Sequence, residues 1–172
     1  MKLVLFRHGP AGRRDSRRWP DDALRPLTSR GEERTRAAAS GLCRMIGAPR
    51  ARIMTSPFAR AARTAELLRE CSRGRATVEE SALLVPGGPF RPVIAMLEKC
   101  RAGETLILVG HEPDLGKLAG TLLFGAPHPL PLRKAGACVI AFVGAVAPGK
   151  AALLGFYPPR VLRRLAGPRV HA

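Results

Sequence analysis

Two short apolar runs, each ending at a histidine, constrain this chain more than any other feature. Lys2-Leu3-Val4-Leu5-Phe6 runs into Arg7-His8-Gly9, and far downstream Thr105-Leu106-Ile107-Leu108-Val109 runs into Gly110-His111-Glu112-Pro113. Apolar runs of this length, bounded by turn residues, read as strands. Helical patterns lie between them, so strand and helix signals alternate and predict βα units around a mainly parallel sheet. Ligands of such sheets gather beyond the carboxyl ends of the strands. A strand-end histidine beside an arginine is therefore placed where chemistry happens.

The rest of the chain reads as a three-layer α/β/α domain over residues 1–172, with no internal repeat and no linker. A helix is expected over 31–46, capped by Thr28 or Ser29, favoured by Glu32 and Glu33 at its positive end and stopped by Gly47. Residues 51–55 read as a second strand. Ser56-Pro57 is expected to open a helix reaching about residue 71, with Ser56 as cap and Pro57 at the first helical position. A short strand over 76–79, helices over 90–100 and 114–124, and a late strand pair over 137–143 and 151–157 follow. The tail over 158–165 has the pattern of a short amphipathic turn or helix. Residues 10–29 form a long charged stretch with Arg13-Arg14, Arg17-Arg18 and Asp21-Asp22. Connections that long in a compact domain tend to be functional, and this one is expected over the pocket mouth beside His8.

At 172 residues and 46% hydrophobic, the chain has material for one domain with a substantial core. No apolar run approaches the roughly 18–20 residues that span a bilayer, and the amino terminus carries no cleavable signal pattern, so a cytoplasmic, membrane-free protein is expected. Cys43, Cys71, Cys100 and Cys138 form no Cys-x-x-Cys pair, which argues against zinc and against a disulfide framework. The formal charge of +16 is less specific than it looks. Only five of the 29 basic residues are lysine, and the chain is rich in Ala, Gly and Pro, a profile that nucleotide composition alone can produce. Scattered arginines, few aromatics and no recognisable motif argue against a nucleic-acid partner. A basic surface that attracts phosphorylated or acidic protein is the better reading.

The chemistry concentrates in four residues. Arg60 falls in the first turn of its expected helix, where free N–H groups and a guanidinium favour an anion. His8 and His111 end strands. A neutral imidazole can act as nucleophile while another ring donates, and phosphoryl transfer needs a nucleophile in line with positive donors on the equatorial oxygens. Arg7, Arg60 and His111 are candidate donors, with His8 left to attack. Arg63 and Arg69 read as surface ion-pair residues, and His128 and His171 as solvated structural ones.

Arg7-His8-Gly9, Pro26-Leu27-Thr28-Ser29-Arg30-Gly31, Ser56-Pro57-Phe58-Ala59-Arg60-Ala61 with Thr64 after it, and Val109-Gly110-His111-Glu112-Pro113 form an ordered set. In it the chain resembles the histidine phosphatase superfamily, the phosphoglycerate-mutase-like group named for its Arg-His-Gly motif. Small size, Arg25-Pro26-Leu27-Thr28, Val85-Pro86-Gly87-Gly88 and Arg133-Lys134-Ala135-Gly136 resemble its short, SixA-like branch of phosphohistidine phosphatases. The resemblance implies a phosphoglycerate-mutase-like fold and a phosphohistidine intermediate on His8 hydrolysed by water. It also implies phosphoryl binding by Arg7, Arg60 and His111, with no metal or other cofactor. Arg25 and Thr28 become secondary pocket candidates. Larger members carry an acidic proton donor after the second helix; here it is Glu79 or Glu80, or Glu112 beside His111, or absent. Imidazole, with a pKa near about 6.5, leaves far more readily than an alkoxide, so a missing acid fits P–N substrates on protein. The alternatives are a small-metabolite phosphomonoesterase of the same fold and a non-catalytic basic module binding phosphate or nucleic acid.

Overall fold

The structure, a computed structural model, describes residues 1–47 and 50–167. Six strands, β1 (Lys2–Arg7), β2 (Arg52–Thr55), β3 (Thr77–Glu80), β4 (Thr105–Gly110), β5 (Ala137–Ala141) and β6 (Ala152–Tyr157), form one sheet in the order β3-β2-β4-β1-β5-β6. The first four are mutually parallel; β5 and β6 close one side antiparallel. Five helices cover it: α1 (Ser29–Ile46), α2 (Ala59–Cys71), α3 (Phe90–Glu98), α4 (Asp114–Phe124) and α5 (Pro159–Leu165).

Alternation along the strands assigns the two faces. Val4, Phe6, Ile53, Ile107 and Val109 pack with Ala38, Leu42, Ala65, Leu68 and Leu162 of α1, α2 and α5. Leu3, Leu5, Met54, Leu106 and Leu108 pack with Val93, Leu97, Leu115, Leu118 and Leu122 of α3 and α4. Each fully buried leucine contributes about 1.5–3 kcal/mol of apolar transfer free energy. The three layers expected from the alternating signals are thus present, with β1 and β4 at the centre because both faces of their side chains are covered.

Local chemistry sets the helix bounds. The Thr28 hydroxyl accepts the Gly31 N–H at 2.9 Å and starts α1, while Gly47 ends it in the left-handed region at φ 82°. At Gly41 a Cβ would lie 1.8 Å from the Leu162 carbonyl oxygen, so the absence of a side chain there lets α5 cross α1 closely. The start of α2 departs from expectation. Ser56 is not its cap and Pro57 is not its first residue; the helix begins at Ala59 after an extended Phe58. The Ser56 N–H is held by the Val109 carbonyl at 3.0 Å, which keeps this residue in the sheet's extended geometry. Two 3-10 turns, Asp22–Leu24 and Ala82–Leu84, carry no clear sequence periodicity.

The register of β1 on β4 positions the site. Arg7 pairs with Gly110, so the following residues, His8 and His111, leave the sheet side by side. The long charged connection is stapled at its base, where Ala11 bridges Leu27, Gly12 N–H reaches the Pro26 carbonyl at 3.3 Å and Thr28 N–H reaches that of Pro10 at 3.2 Å. No described helix is long and apolar enough to cross a membrane. All four cysteines are free, and burial pushes the thiols of Cys43 and Cys138 up to about 12, leaving them inert.

Candidate active site

The Arg7-His8-Gly9 segment is gripped from two sides. Gly9 N–H donates to the Thr64 hydroxyl at 3.0 Å, and that hydroxyl donates to the Arg60 carbonyl at 2.7 Å, tying the segment to α2. Ala135 N–H lies 3.1 Å from the Arg7 carbonyl and 3.2 Å from that of His8. A Cβ at Gly9 would meet the Thr35 hydroxyl at 2.0 Å, so only glycine lets the strand end approach α1 this closely. His8 itself is buried, with Nδ1 2.7 Å from the Gly9 carbonyl. A carbonyl only accepts, so Nδ1 carries the proton and the lone pair resides on Nε2.

The His111 ring lies 5.0 Å from that of His8, centroid to centroid, with the edge of Phe58 against it at 5.3 Å. Its Nε2 is 2.9 Å from the Ser56 hydroxyl. That hydroxyl accepts the Phe58 N–H at 3.3 Å and has one proton of its own; given to His111 Nε2, it leaves Nδ1–H as the ring's donor. Burial, the facing His111 and the nearby Arg60 and Arg7 together lower the His8 pKa from 6.5 to about 3, despite the Gly9 contact that favours protonation. Burial and then Arg60 and Arg7 lower that of His111 to about 4. Both rings are neutral at physiological pH.

The two arginines complete the centre. Arg7 Nη1 donates to the Leu132 carbonyl at 2.8 Å. Arg60, 3% exposed in the first turn of α2, donates through Nη1 to the Asp22 carbonyl oxygen at 2.7 Å and through Nη2 to its carboxylate at 3.0 Å. The Nε groups of both arginines are buried without a protein partner. Buried guanidinium donors are rarely left so, because each forfeits a charge-assisted hydrogen bond. Arg7, His8, Arg60 and His111 line one cleft of about 600 Å³, with Asp22, Arg25, Glu112 and Lys134 also on its walls. Two neutral imidazoles and two guanidinium cations on one cleft make a receptor for a tetrahedral oxyanion.

The other sequence candidates divide. Arg25 reaches the cleft and also holds its loop, donating to Asp22 at 2.7 Å and to the Gly12 carbonyl at 2.7 Å. Thr28 does not reach it: its hydroxyl is committed to capping α1. Glu79 and Glu80 lie on β3, the outermost strand, where Glu79 faces Arg52 at 3.9 Å, and neither lines the cleft. Glu112 does line it, with Oε1 buried and unpartnered, and burial raises its pKa against the pull of Arg7. Arg63 pairs with Glu32 and Glu70, and Arg69 with Glu66, as surface ion pairs. His128 is exposed beside Phe124, and His171 lies outside the described residues. Asp22 was not anticipated as a partner of Arg60, nor Ser56 as a partner of His111, nor Lys134 as a cleft residue. The Asp21-Asp22 pair in the charged loop was the one available signal for the first. Among the described residues, no three His, Cys, Asp or Glu side chains group as metal ligands would.

The chain is similar to several known proteins. A family model described as the histidine phosphatase superfamily (branch 1) matches residues 3–84. An uncharacterised protein of Picosynechococcus is 40% identical over 139 residues, covering 79% of this chain and 82% of its own. The phosphohistidine phosphatase SixA of Escherichia coli is 28% identical over 132 residues, covering 76% and 79%. Among solved structures, the protein histidine phosphatase SixA complexed with tungstate superposes with a TM-score of 0.79 at 23% identity, over 93% of this chain and 98% of that one.

Proposed function

Because this chain belongs to the histidine phosphatase superfamily, in its short SixA-like branch, we propose that it hydrolyses phosphohistidine on proteins through a phosphoryl group carried on His8. Membership supports a phosphatase activity; the bond it cleaves and the residues that cleave it are our reading. The observation that carries this reading is one cleft lined by Arg7, Arg60 and two neutral histidines whose rings face each other at 5.0 Å.

In the reaction we propose, Arg7, Arg60 and the Nδ1–H of His111 hold the three equatorial oxygens. The Nε2 lone pair of His8 attacks phosphorus of a phosphohistidine protonated on its other ring nitrogen, the P–N bond of the substrate breaks, and its imidazole leaves neutral. Water then attacks the phosphoryl on His8, releasing inorganic phosphate and the free imidazole. Fixed donors that face the equatorial oxygens act where negative charge concentrates in the transition state. His8 stays unprotonated because its site is dry and cationic, so it needs no separate base. We place the protein in the cytoplasm and take residues 1–172 as one catalytic domain.

One observation favours a second reading, hydrolysis of a small phosphate ester. An alkoxide needs a proton on departure, and Glu112 is the one sequence-nominated acid that reaches the cleft, with burial favouring its protonated form. Phosphate release in EDTA from a phosphohistidine-bearing protein and from glycerate and sugar phosphates separates the two. Faster turnover of the P–N substrate, absent in His8→Ala, supports the main reading; faster turnover of the esters contradicts it. Glu112→Gln then reports on the acid: the variant is expected to lose about a hundredfold on esters and much less on phosphohistidine.

A further inference from the structure

Residues Arg133 to Gly136 form a tight turn in which Gly136 N–H reaches the Arg133 carbonyl at 2.7 Å. Its third residue, Ala135, is buried and held at φ 58°, the left-handed region where such turns ordinarily place glycine. Backbone strain of this kind persists only where its surroundings enforce it, and it concentrates at functional sites. The enforcing contacts are visible: Ala135 N–H meets the carbonyls of Arg7 and His8, and Arg7 N–H meets that of Gly136 at 3.1 Å. The turn is therefore fastened to the backbone of the proposed nucleophile, and the residue it carries to the cleft wall is Lys134.

Lys134 has no ion-pair partner among the described residues. Of the two carboxylates on the cleft wall, Asp22 is taken by Arg25 and Arg60, and Glu112 makes no ion pair with Lys134. Burial, and then the charges of Arg7, Arg25 and Arg60, hold its ammonium below the ordinary lysine range. The exposed Lys134 side chain shares the cleft wall with Arg7, Arg25 and Arg60, a concentration of positive charge that favours an anion. Composition does not explain it either, since only five of the 29 basic residues are lysine. The phosphoryl group is already matched by Arg7 and Arg60, so the Lys134 cation on the same cleft is surplus to it.

We propose that Lys134 binds a carboxylate that the substrate carries next to its phosphoryl group. This rests on the phosphoryl-binding role of the cleft. The carboxylate comes either from an acidic side chain neighbouring a phosphohistidine or from a small phosphorylated acid, and the chemistry at Lys134 is the same.

Calorimetry of two ligands that differ by one carboxylate, methylphosphonate and phosphonoacetate, tests it without turnover. Hydrolysis of two phosphohistidine peptides with Asp or Asn beside the phosphohistidine tests the protein source. The wild-type protein is expected to favour the carboxylate member of at least one pair by about tenfold, the value of one charge-assisted contact. Preference within the peptides alone assigns the carboxylate to protein, and preference within the small ligands alone assigns it to a small acid. The ratio is expected to fall to near one in Lys134→Met and to persist in Lys134→Arg. The proposal is overturned if the wild type shows no preference in either pair. It is equally overturned if Lys134→Met weakens methylphosphonate as much as phosphonoacetate, which puts the lysine on the phosphoryl itself. In both cases the phosphatase reading stands. Failure of the wild type to bind either phosphonate removes the anion cleft and this proposal together.

Discussion

The Ser56 hydroxyl lies 2.9 Å from Nε2 of His111, and this contact sets which nitrogen of the ring carries the proton. Ser56 is fully buried, accepts from Phe58 N–H and has one proton to give. Ser56→Ala removes that donor with little change in volume and lets the neutral ring take the other tautomer. We expect kcat to fall about tenfold with a smaller change in KM, less than the hundredfold or more of deleting an oxyanion donor outright. Steady-state kinetics of the variant checks this; an unchanged kcat contradicts the assigned tautomer.

Asp22 neutralises Arg60 and Arg25 in the cleft, as an internal anion where the substrate's anion would bind. Asp22→Asn keeps the size of the side chain and removes the negative charge that neutralises both guanidinium groups. Inorganic phosphate and tungstate are then expected to bind several-fold more tightly, while the anion-free protein loses about 1 kcal/mol of stability because the pair is partly exposed. Added phosphate restores the lost melting temperature by mass action. Calorimetry and thermal melts with and without phosphate measure both effects.

The histidines make stability depend on pH in a defined window. Their unfolded value is near 6.5, and the folded values fall to about 3 for His8 and about 4 for His111. Both are depressed bases, so the unfolded chain binds more protons over this range. Their contribution is fully present above pH 6.5 and is lost as the pH falls toward 4 and then 3. Melting temperature is expected to drop across that interval, with His111→Gln and His8→Gln each flattening the slope. The carboxylates lowered by arginine, Asp22, Glu32 and Glu70, add their own loss only below the ordinary carboxylate range. The acid limb of kcat/KM is likewise expected below the usual imidazole value.

What the sequence disclosed follows from which interactions are local. Strand-end histidines are legible because each apolar run leads straight into its Arg-His or Gly-His step, and the pairing of Arg7 with Gly110 then brings them together. The Gly47 stop and the start of α4 at Asp114 are local for the same reason. Ser56 misled because Ser-Pro is a common helix opening, whereas here a sheet hydrogen bond to Val109 and the His111 ring claim that residue. Asp22 was hidden because Arg60, its partner, lies on another element and the two meet only when the charged loop folds over α2. Lys134 belongs to the Arg133-Lys134-Ala135-Gly136 motif, yet its place in the cleft depends on a left-handed alanine that no local preference announces. Glu79 and Glu80 were reasonable acids by order alone; the topology puts their strand at the far edge of the sheet.

The central claim is that His8 carries the phosphoryl group, and rapid acid-free denaturation of the enzyme during turnover tests it most directly. With a phosphohistidine-bearing protein in EDTA, mass spectrometry of the alkali-stabilised digest is expected to find one phosphoryl on the peptide containing His8, lost on mild acid treatment. The same peptide from His8→Ala should carry none. A phosphoryl group found on another residue, or full turnover by His8→Ala, would contradict the account.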